Sequence, residues 1–179
     1  AQGYLGETYY FGHGVAQDYG RAFELYRQAA RQGHAVCHHN VGNMYRREDQ
    51  GCEQSHERAA EWWAKAAKQG DADAQYNLGN AYKGGQGVPQ SYERAVELFE
   101  LSEAQGHADA TTSPGWCYAN REGVDMSYAE ARRLYELAVA RGEVKFAPGH
   151  LQRLNERTQQ YCPLLGQRVV LGGLNTAAL

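Results

Sequence analysis

One glycine recurs at a nearly fixed interval along the chain. Gly33, Gly70, Gly106 and Gly142 are separated by 37, 36 and 36 residues. A repeat of this length is typical of solenoids, in which each unit buries its apolar face only against neighbouring units. Because such an array presents an extended surface, the period favours recognition over catalysis.

The first half of each unit contains a glycine that follows an apolar residue. These pairs are Leu5-Gly6, Val41-Gly42, Leu78-Gly79 and Pro114-Gly115. An aromatic residue follows three positions after each glycine, and a glycine-rich turn such as Gly85-Gln86-Gly87-Val88 comes next. We predict a first helix in each unit, helix A, at roughly residues 2–11, 35–46, 72–83 and 108–120.

The second half of each unit opens with a residue suited to cap a helix. Asp18, Ser55, Ser91 and Ser127 each carry an oxygen that can accept a free backbone N–H. Small and aromatic residues then recur at i, i+4 and i+7, which is the pattern of one buried helix face. We predict a second helix, helix B, at roughly residues 18–32, 55–69, 91–105 and 127–141, each ended by the recurring glycine in a left-handed conformation.

Four segments of the third repeat carry a recognisable pattern: Ala72–Tyr82, Gly85-Gln86-Gly87-Val88, Tyr92–Phe99 and Ala104–Gly106. This pattern resembles the Sel-1-like repeat, a family related to the tetratricopeptide repeats. The resemblance covers repeats at 1–34, 35–71, 72–107 and 108–143. It implies an all-α, right-handed α/α superhelical solenoid in which the A helices line the concave side. It also implies an adaptor that holds protein partners together.

The fourth unit departs from this pattern because Pro114 stands where other units have Leu or Val. Proline inside a helix removes a hydrogen bond and clashes with the preceding turn, at a cost of about 3 kcal/mol. Ser113 can instead cap a shortened helix that has Pro114 at its first position. We therefore predict that helix A of this unit is broken, short or kinked.

The repeat phase is lost after Gly142. Residues 144–160 can form one further helix, with Leu151 and Leu154 on one side, and such a helix suits the terminal cap that solenoids need. From Tyr161 the composition changes, and we interpret residues 161–179 as the start of a truncated, weakly ordered segment. The chain also begins inside a helix A, so we interpret it as a fragment.

Composition narrows the choice of partners and compartment. The net charge is −3 and the basic residues are dispersed, so no basic surface for nucleic acid stands out. No apolar run approaches the roughly 20 residues that span a bilayer. Cys37, Cys52 and Cys117 occupy positions that other units fill with small or medium apolar residues. This cysteine pattern favours a reducing compartment such as the cytoplasm.

Chemical sites receive little support from the sequence. Cys37, His38 and His39, with Cys52 and His56, are suitable metal ligands. The two groups lie at opposite ends of a helix of about ten residues, roughly 15 Å apart, so we predict no shared metal site. No serine is followed at the third position by lysine, and the glycine turns are explained by helix connections. We therefore predict no catalytic residues and no cofactor.

A stripe on the A helices, here called the A stripe, is the candidate protein-binding surface. It comprises the residue before each apolar-glycine pair and the residues three and six positions later, which share one helix face. Its members are Tyr4, Glu7, Tyr10, Asn40, Asn43, Arg46, Asn77, Asn80, Lys83, Ser113, Trp116 and Ala119. Carboxamides can pair with the backbone of an extended peptide, and Arg or Lys can bind a carboxylate. The alternative is a solvated helix face, or Asn side chains packed between units.

The sequence therefore predicts a non-catalytic scaffold that binds a segment of a protein partner on the A stripe. The alternative is a repeat array that regulates an enzymatic module outside these 179 residues.

Overall fold

The computed structural model describes residues 2–48, 51–110, 112–120, 128–142 and 147–161, and every regular element within them is helical. The helices are α1 (Gln2–Phe11), α2 (Tyr19–Arg31), α3 (Ala35–Arg46), α4 (His56–Lys68), α5 (Ala72–Gly84), α6 (Tyr92–Ala104), α7 (Ser113–Asn120), α8 (Tyr128–Ala140) and α9 (Ala147–Tyr161), with a 3₁₀ turn at Ala108–Ala110. The predicted all-α class and the alternation of A and B helices are confirmed.

The chain divides into two compact units, residues 1–110 and residues 111–179. In the first unit α1 and α2, α3 and α4, and α5 and α6 form the three most extensive helix pairs, and α2 packs on α3 as α4 packs on α5. In the second unit α7 packs on α8 and α8 packs on α9. Each unit thus follows the solenoid pattern, in which consecutive helices stack.

The glycine of each apolar-glycine pair lets helix A approach an aromatic ring of helix B. A Cβ on Gly42 would lie 2.6 Å from Cδ1 of Trp63, and one on Gly79 would lie 2.7 Å from Cε1 of Phe99. The same contact joins Gly6 to Tyr26 and Gly115 to Tyr135. All four rings belong to the predicted buried stripe and are at most 4 % exposed. The repeat signature is therefore a packing motif, since only hydrogen fits between the helices.

The predicted helix ends are confirmed where the structure describes them. The side chains of Asp18, Ser55 and Ser91 accept hydrogen bonds from the backbone N–H three residues later, at 2.9, 3.3 and 3.3 Å. Ser127 lies outside the described residues. The recurring glycines, Gly33, Gly70, Gly106 and Gly142, have φ between 84° and 91°. That left-handed geometry is the one expected of a residue ending a helix.

The predicted defect in the fourth helix A is also confirmed. A 3₁₀ turn at Ala108–Ala110 replaces its first part, and α7 contains only eight residues, Ser113–Asn120. The helix begins one residue earlier than predicted, because the carbonyl of Thr112 accepts the first hydrogen bond from Trp116 N at 3.2 Å. Pro114 is fully buried in the first turn, where its missing N–H costs no hydrogen bond.

The helix predicted after Gly142 is present as α9, which begins at Ala147. Leu154 is 2 % exposed and forms a small core with Tyr135 and Ala131 of α8, against which Leu151 also packs. The predicted apolar side of this helix is therefore confirmed. Of the segment predicted to be truncated, 161–179, Tyr161 instead belongs to α9, and residues 162–179 lie outside the described residues.

Candidate functional site

A cavity of about 740 Å³ opens between α1 and α3. Its walls include five members of the A stripe: Tyr4, Glu7, Tyr10, Asn40 and Asn43. The rest of its lining is Gly3, Phe11, Tyr26, His34, Ala35, Val36, Cys37, His39 and Asp73. A concave, mostly apolar site of this size with a few polar groups is the usual form of a binding pocket.

Close approach of α1 to its neighbours shapes the floor of this cavity. A Cβ on Gly3 would lie 3.0 Å from the Sγ of Cys37, and Gly6 lies against the ring of Tyr26. Burial raises the pKa of the Cys37 thiol, which therefore stays protonated and is a poor nucleophile. Burial also raises the pKa of Tyr26, and the negative charge of Glu7 raises it further. The floor is thus a neutral, apolar surface.

Asn43 and Asn77 join neighbouring repeats through a hydrogen-bond network. Trp63 Nε1 donates to Asn43 Oδ1 at 3.2 Å, and Asn77 Nδ2 donates to the same oxygen at 3.2 Å. Nδ2 atoms of Asn43 and Asn77 lie 3.0 and 3.1 Å from Nε2 of His39. Because the indole fixes the orientation of the Asn43 amide, we assign His39 Nε2 as the acceptor and its proton to Nδ1. Both carboxamides therefore pack between adjacent repeats, which is the alternative interpretation given above for the A stripe.

The remaining members of the A stripe do not line this cavity. The Arg46 guanidinium lies over the ring of Trp63 at 5.8 Å, and the Lys83 ammonium lies over the ring of Phe99 at 5.9 Å. Asn80 donates to the carbonyl of Tyr76 on its own helix at 3.2 Å. These contacts anchor the side chains on their own repeats.

In the second unit, Trp116 and Ala119 of the A stripe line a smaller cavity of about 300 Å³. Its other walls come from α8 and α9 and include Tyr135, His150 and Leu154. Ser113 is half-buried at the start of α7.

Three potential metal ligands, His39, Asp71 and Asp73, come within 4.8 Å of one another. Asp71 Oδ1 accepts from Ala74 N at 2.8 Å and so caps α5. Asp73 Oδ1 lies 3.1 Å from Nε2 of His107. These hydrogen bonds account for the cluster, and we assign no metal to it.

The cluster of His39, Asp71 and Asp73 was not predicted from the sequence. The signal was Asp71-Ala72-Asp73 at the start of α5, where Asp71 directly precedes the helix, since an aspartate in that position is a typical cap. Of the histidines considered as ligands, His38 is buried, its Nδ1 lies 3.0 Å from the carbonyl of His34, and its ring contacts Trp62. His39 instead faces the cavity. Adjacent residues on a helix point to different faces.

We expect the His39 network to make stability depend on pH. Burial lowers the pKa of His39, an effect that Asp71 and Asp73 oppose and Arg46 and His107 reinforce. Because the folded pKa lies below the unfolded one, the unfolded chain takes up the proton first as pH falls. The stabilisation is therefore complete above about pH 6.5 and is lost on acidification below it.

Urea unfolding at pH 7.5 and pH 5 measures this loss. The decrease in the free energy of unfolding should be smaller in His39→Gln than in the wild type. His13→Gln serves as the control because His13 is exposed on the loop after α1. Equal losses in the wild type and His39→Gln would show that His39 does not contribute.

The repeated helix pairs, the glycine–aromatic contacts and the A-helix cavity together define an α-solenoid of helical-hairpin repeats. The sequence profile of the Sel1 repeat matches residues 1–34, 35–71, 72–107 and 115–143. The chain therefore belongs to the Sel1 repeat family. The fourth match starts seven residues later than our predicted boundary at 108, beyond the 3₁₀ turn and at Gly115 in α7.

Two solved structures are similar over most of the chain. One is c5321, a protective antigen of uropathogenic Escherichia coli with an SLR fold. It is 30 % identical in sequence, with a TM-score of 0.81, and the match covers 86 % of this chain and 32 % of c5321. The other is a Sel1 repeat protein from Oxalobacter formigenes, 28 % identical with a TM-score of 0.78, matched over 85 % of this chain and 61 % of its own. The chain thus spans about a third of the first and three fifths of the second. A comparison with curated protein sequences gave no match.

Family membership supports a general role. Sel1 repeat proteins generally mediate protein–protein interactions and are typically non-catalytic scaffolds. Within the described ranges, none of the helices has the length and apolar character required to traverse a bilayer.

Proposed function

We propose that this protein is an interaction scaffold that binds an extended segment of a protein partner along α1 and α3. One side chain of that segment occupies the α1–α3 cavity. The observation that carries the proposal is the coincidence of this cavity with five residues of the A stripe.

Exposed apolar surface at the rim supports this proposal. Tyr4 and Val36 line the cavity and are 82 % and 62 % exposed. Large apolar side chains grouped around a concavity favour a partner, because covering them removes apolar area from water. Asn40, half-buried on the same wall, can pair with the backbone of an extended chain through its amide.

Selection from a displayed library of random peptides, followed by titration of the enriched peptides, tests this proposal with the 179-residue chain. We expect the Tyr4→Ala/Val36→Ala double variant to bind the selected peptides at least tenfold more weakly than the wild type. The change in folding stability should be small, because both side chains are largely exposed.

The matched control is Leu5→Ala/Leu101→Ala. Leu5 and Leu101 are also exposed, at 47 % and 54 %, but neither lines the cavity. This variant should retain wild-type affinity. Equal loss in both double variants would indicate non-specific adhesion to apolar surface, and unchanged binding by the cavity variant would place the site elsewhere. Either result would overturn the proposal.

A further inference from the structure

Two carboxyl side chains line the α1–α3 cavity, together with the imidazoles of His34 and His39. Glu7 and Asp73 face it from α1 and α5, and no lysine or arginine occurs in the lining formed by the described residues. The cavity therefore has the electrostatic character of a cation site, although the A stripe was predicted to bind a carboxylate.

Glu7 is the carboxylate best placed to meet a bound cation. Among the described residues it has no ion pair, whereas Asp73 lies 3.1 Å from the ring nitrogen of His107. The negative charge of Glu7 acts on the cavity floor, because it contributes to the raised pKa of Tyr26. Glu7 is exposed in the free protein, and a bound segment that covers it would leave its carboxylate beside a low-polarity wall, where charge-assisted hydrogen bonds are stronger than in open water.

The aromatic rings beside Glu7 suit the same class of ligand. Tyr4, Tyr10 and Phe11 line the cavity, and the Tyr10 ring is held edge-to-face against Phe11 and Tyr19 at 4.9 and 5.3 Å. Aromatic faces attract ammonium and guanidinium groups, and the aliphatic stem of Lys or Arg packs well on such rings.

Arg46, the basic residue in the last turn of α3, is held by a contact within its own repeat. Arg46 lies over Trp63, and burial lowers its pKa. Its guanidinium is therefore held against its own repeat and is outside the cavity lining. The carboxylate of Glu7 remains available to a partner.

We propose that the α1–α3 cavity selects a lysine or arginine side chain of the bound segment, with the cationic group at Glu7 and the stem between the tyrosine rings. This assignment rests on the proposed function above and specifies the chemistry of the partner. A negatively charged or purely apolar anchor residue does not match the cavity.

The peptides selected by the displayed library provide the test. Peptides whose binding depends on Tyr4 and Val36 should share a lysine or arginine at one position. Replacing that residue with glutamine in a synthetic peptide should weaken binding at least tenfold, as expected for loss of a hydrogen bond to a charged group. Glu7→Gln should weaken the original peptide to a similar extent and leave the glutamine peptide almost unaffected.

Two further variants sharpen the result. Glu61→Gln removes an exposed carboxylate from α4, outside the cavity, and should not change binding of either peptide. Glu7→Lys should reject the basic peptide and accept one with glutamate at the same position. Urea unfolding of each variant verifies that the fold is retained.

The outcomes separate the two proposals. If cavity-dependent peptides carry no shared basic residue, or if Glu7→Gln weakens basic and glutamine peptides equally, the cation assignment is wrong and the binding site stands. If no library peptide depends on Tyr4 and Val36, both proposals are overturned.

Discussion

Replacing Gly87 with alanine is expected to destabilise the first unit by about 3 kcal/mol or more. Gly87 lies in the turn between α5 and α6 with φ of +72°, a conformation that costs a residue with a side chain roughly 1–2 kcal/mol. An added Cβ would also overlap the main-chain carbonyl of His56 and lie 2.5 Å from the backbone nitrogen of Glu57. Because these atoms belong to the first turn of α4, the backbone itself would have to move. Urea unfolding followed by circular dichroism measures the loss.

Gly14→Ala is the matched control for this prediction. Gly14 occupies the equivalent position in the turn between α1 and α2 and has φ of +76°, but no heavy atom lies within 4 Å of its added Cβ. This variant should lose only the conformational contribution, about 1–2 kcal/mol. Equal losses in the two variants would mean that backbone conformation, and not contact between repeats, explains the glycine at position 87.

The difference between Gly87→Ala and Gly14→Ala measures the contact between the turn of one repeat and the helix of the preceding repeat. Gly51, in the second turn, lies in the same way against the backbone of Tyr19 and Gly20 at the start of α2. The glycine-rich turn of one repeat therefore packs against the first turn of the preceding helix B. A side chain at that position would separate the two repeats.

Much of the fold could be predicted because the repeat supplies several copies of each local signal. The caps, the terminal glycines and the buried stripe each depend on residues close in sequence. The defect at Pro114 was also predictable, since proline restricts the backbone wherever it occurs. The role of Gly87 was not predictable in full. Glycine indicated a turn, but the contact with His56 depends on the stacking distance between repeats.

The candidate site could be predicted only in part. The helical period placed Tyr4, Glu7 and Asn40 on one face, and the structure brings them to one cavity. Periodicity cannot show which amides bond to one another, and Asn43 and Asn77 meet His39 across two helices. The acidic character of the cavity could not be predicted either, because Asp73 lines it from α5, a helix outside the α1–α3 pair.

The second large effect concerns Phe99 and the glycine beneath it. Phe99 is completely buried and packs against Gly79 of α5. Phe99→Ala should reduce the free energy of unfolding by about 3–5 kcal/mol, because it removes a large buried side chain and leaves a cavity. Leu101→Ala, on the same helix but 54 % exposed, should cost much less. Urea unfolding of both variants measures the difference.

The effect of Gly79→Ala on the free energy of unfolding should change sign when it is combined with Phe99→Ala. Alone, this substitution places a Cβ 2.7 Å from the Phe99 ring, and the clash of about 1–3 kcal/mol outweighs a gain of up to about 1 kcal/mol in helix propensity. In the Phe99→Ala background the ring is absent, so Gly79→Ala should stabilise the protein. Gly20→Ala, at a helical position where an added Cβ would lie in ordinary contact with Asp18 Oδ1 at 3.4 Å, should have the same effect in both backgrounds. If Gly79→Ala destabilises both equally, the ring does not explain the glycine at position 79. A reversal would show that this glycine admits the aromatic side chain.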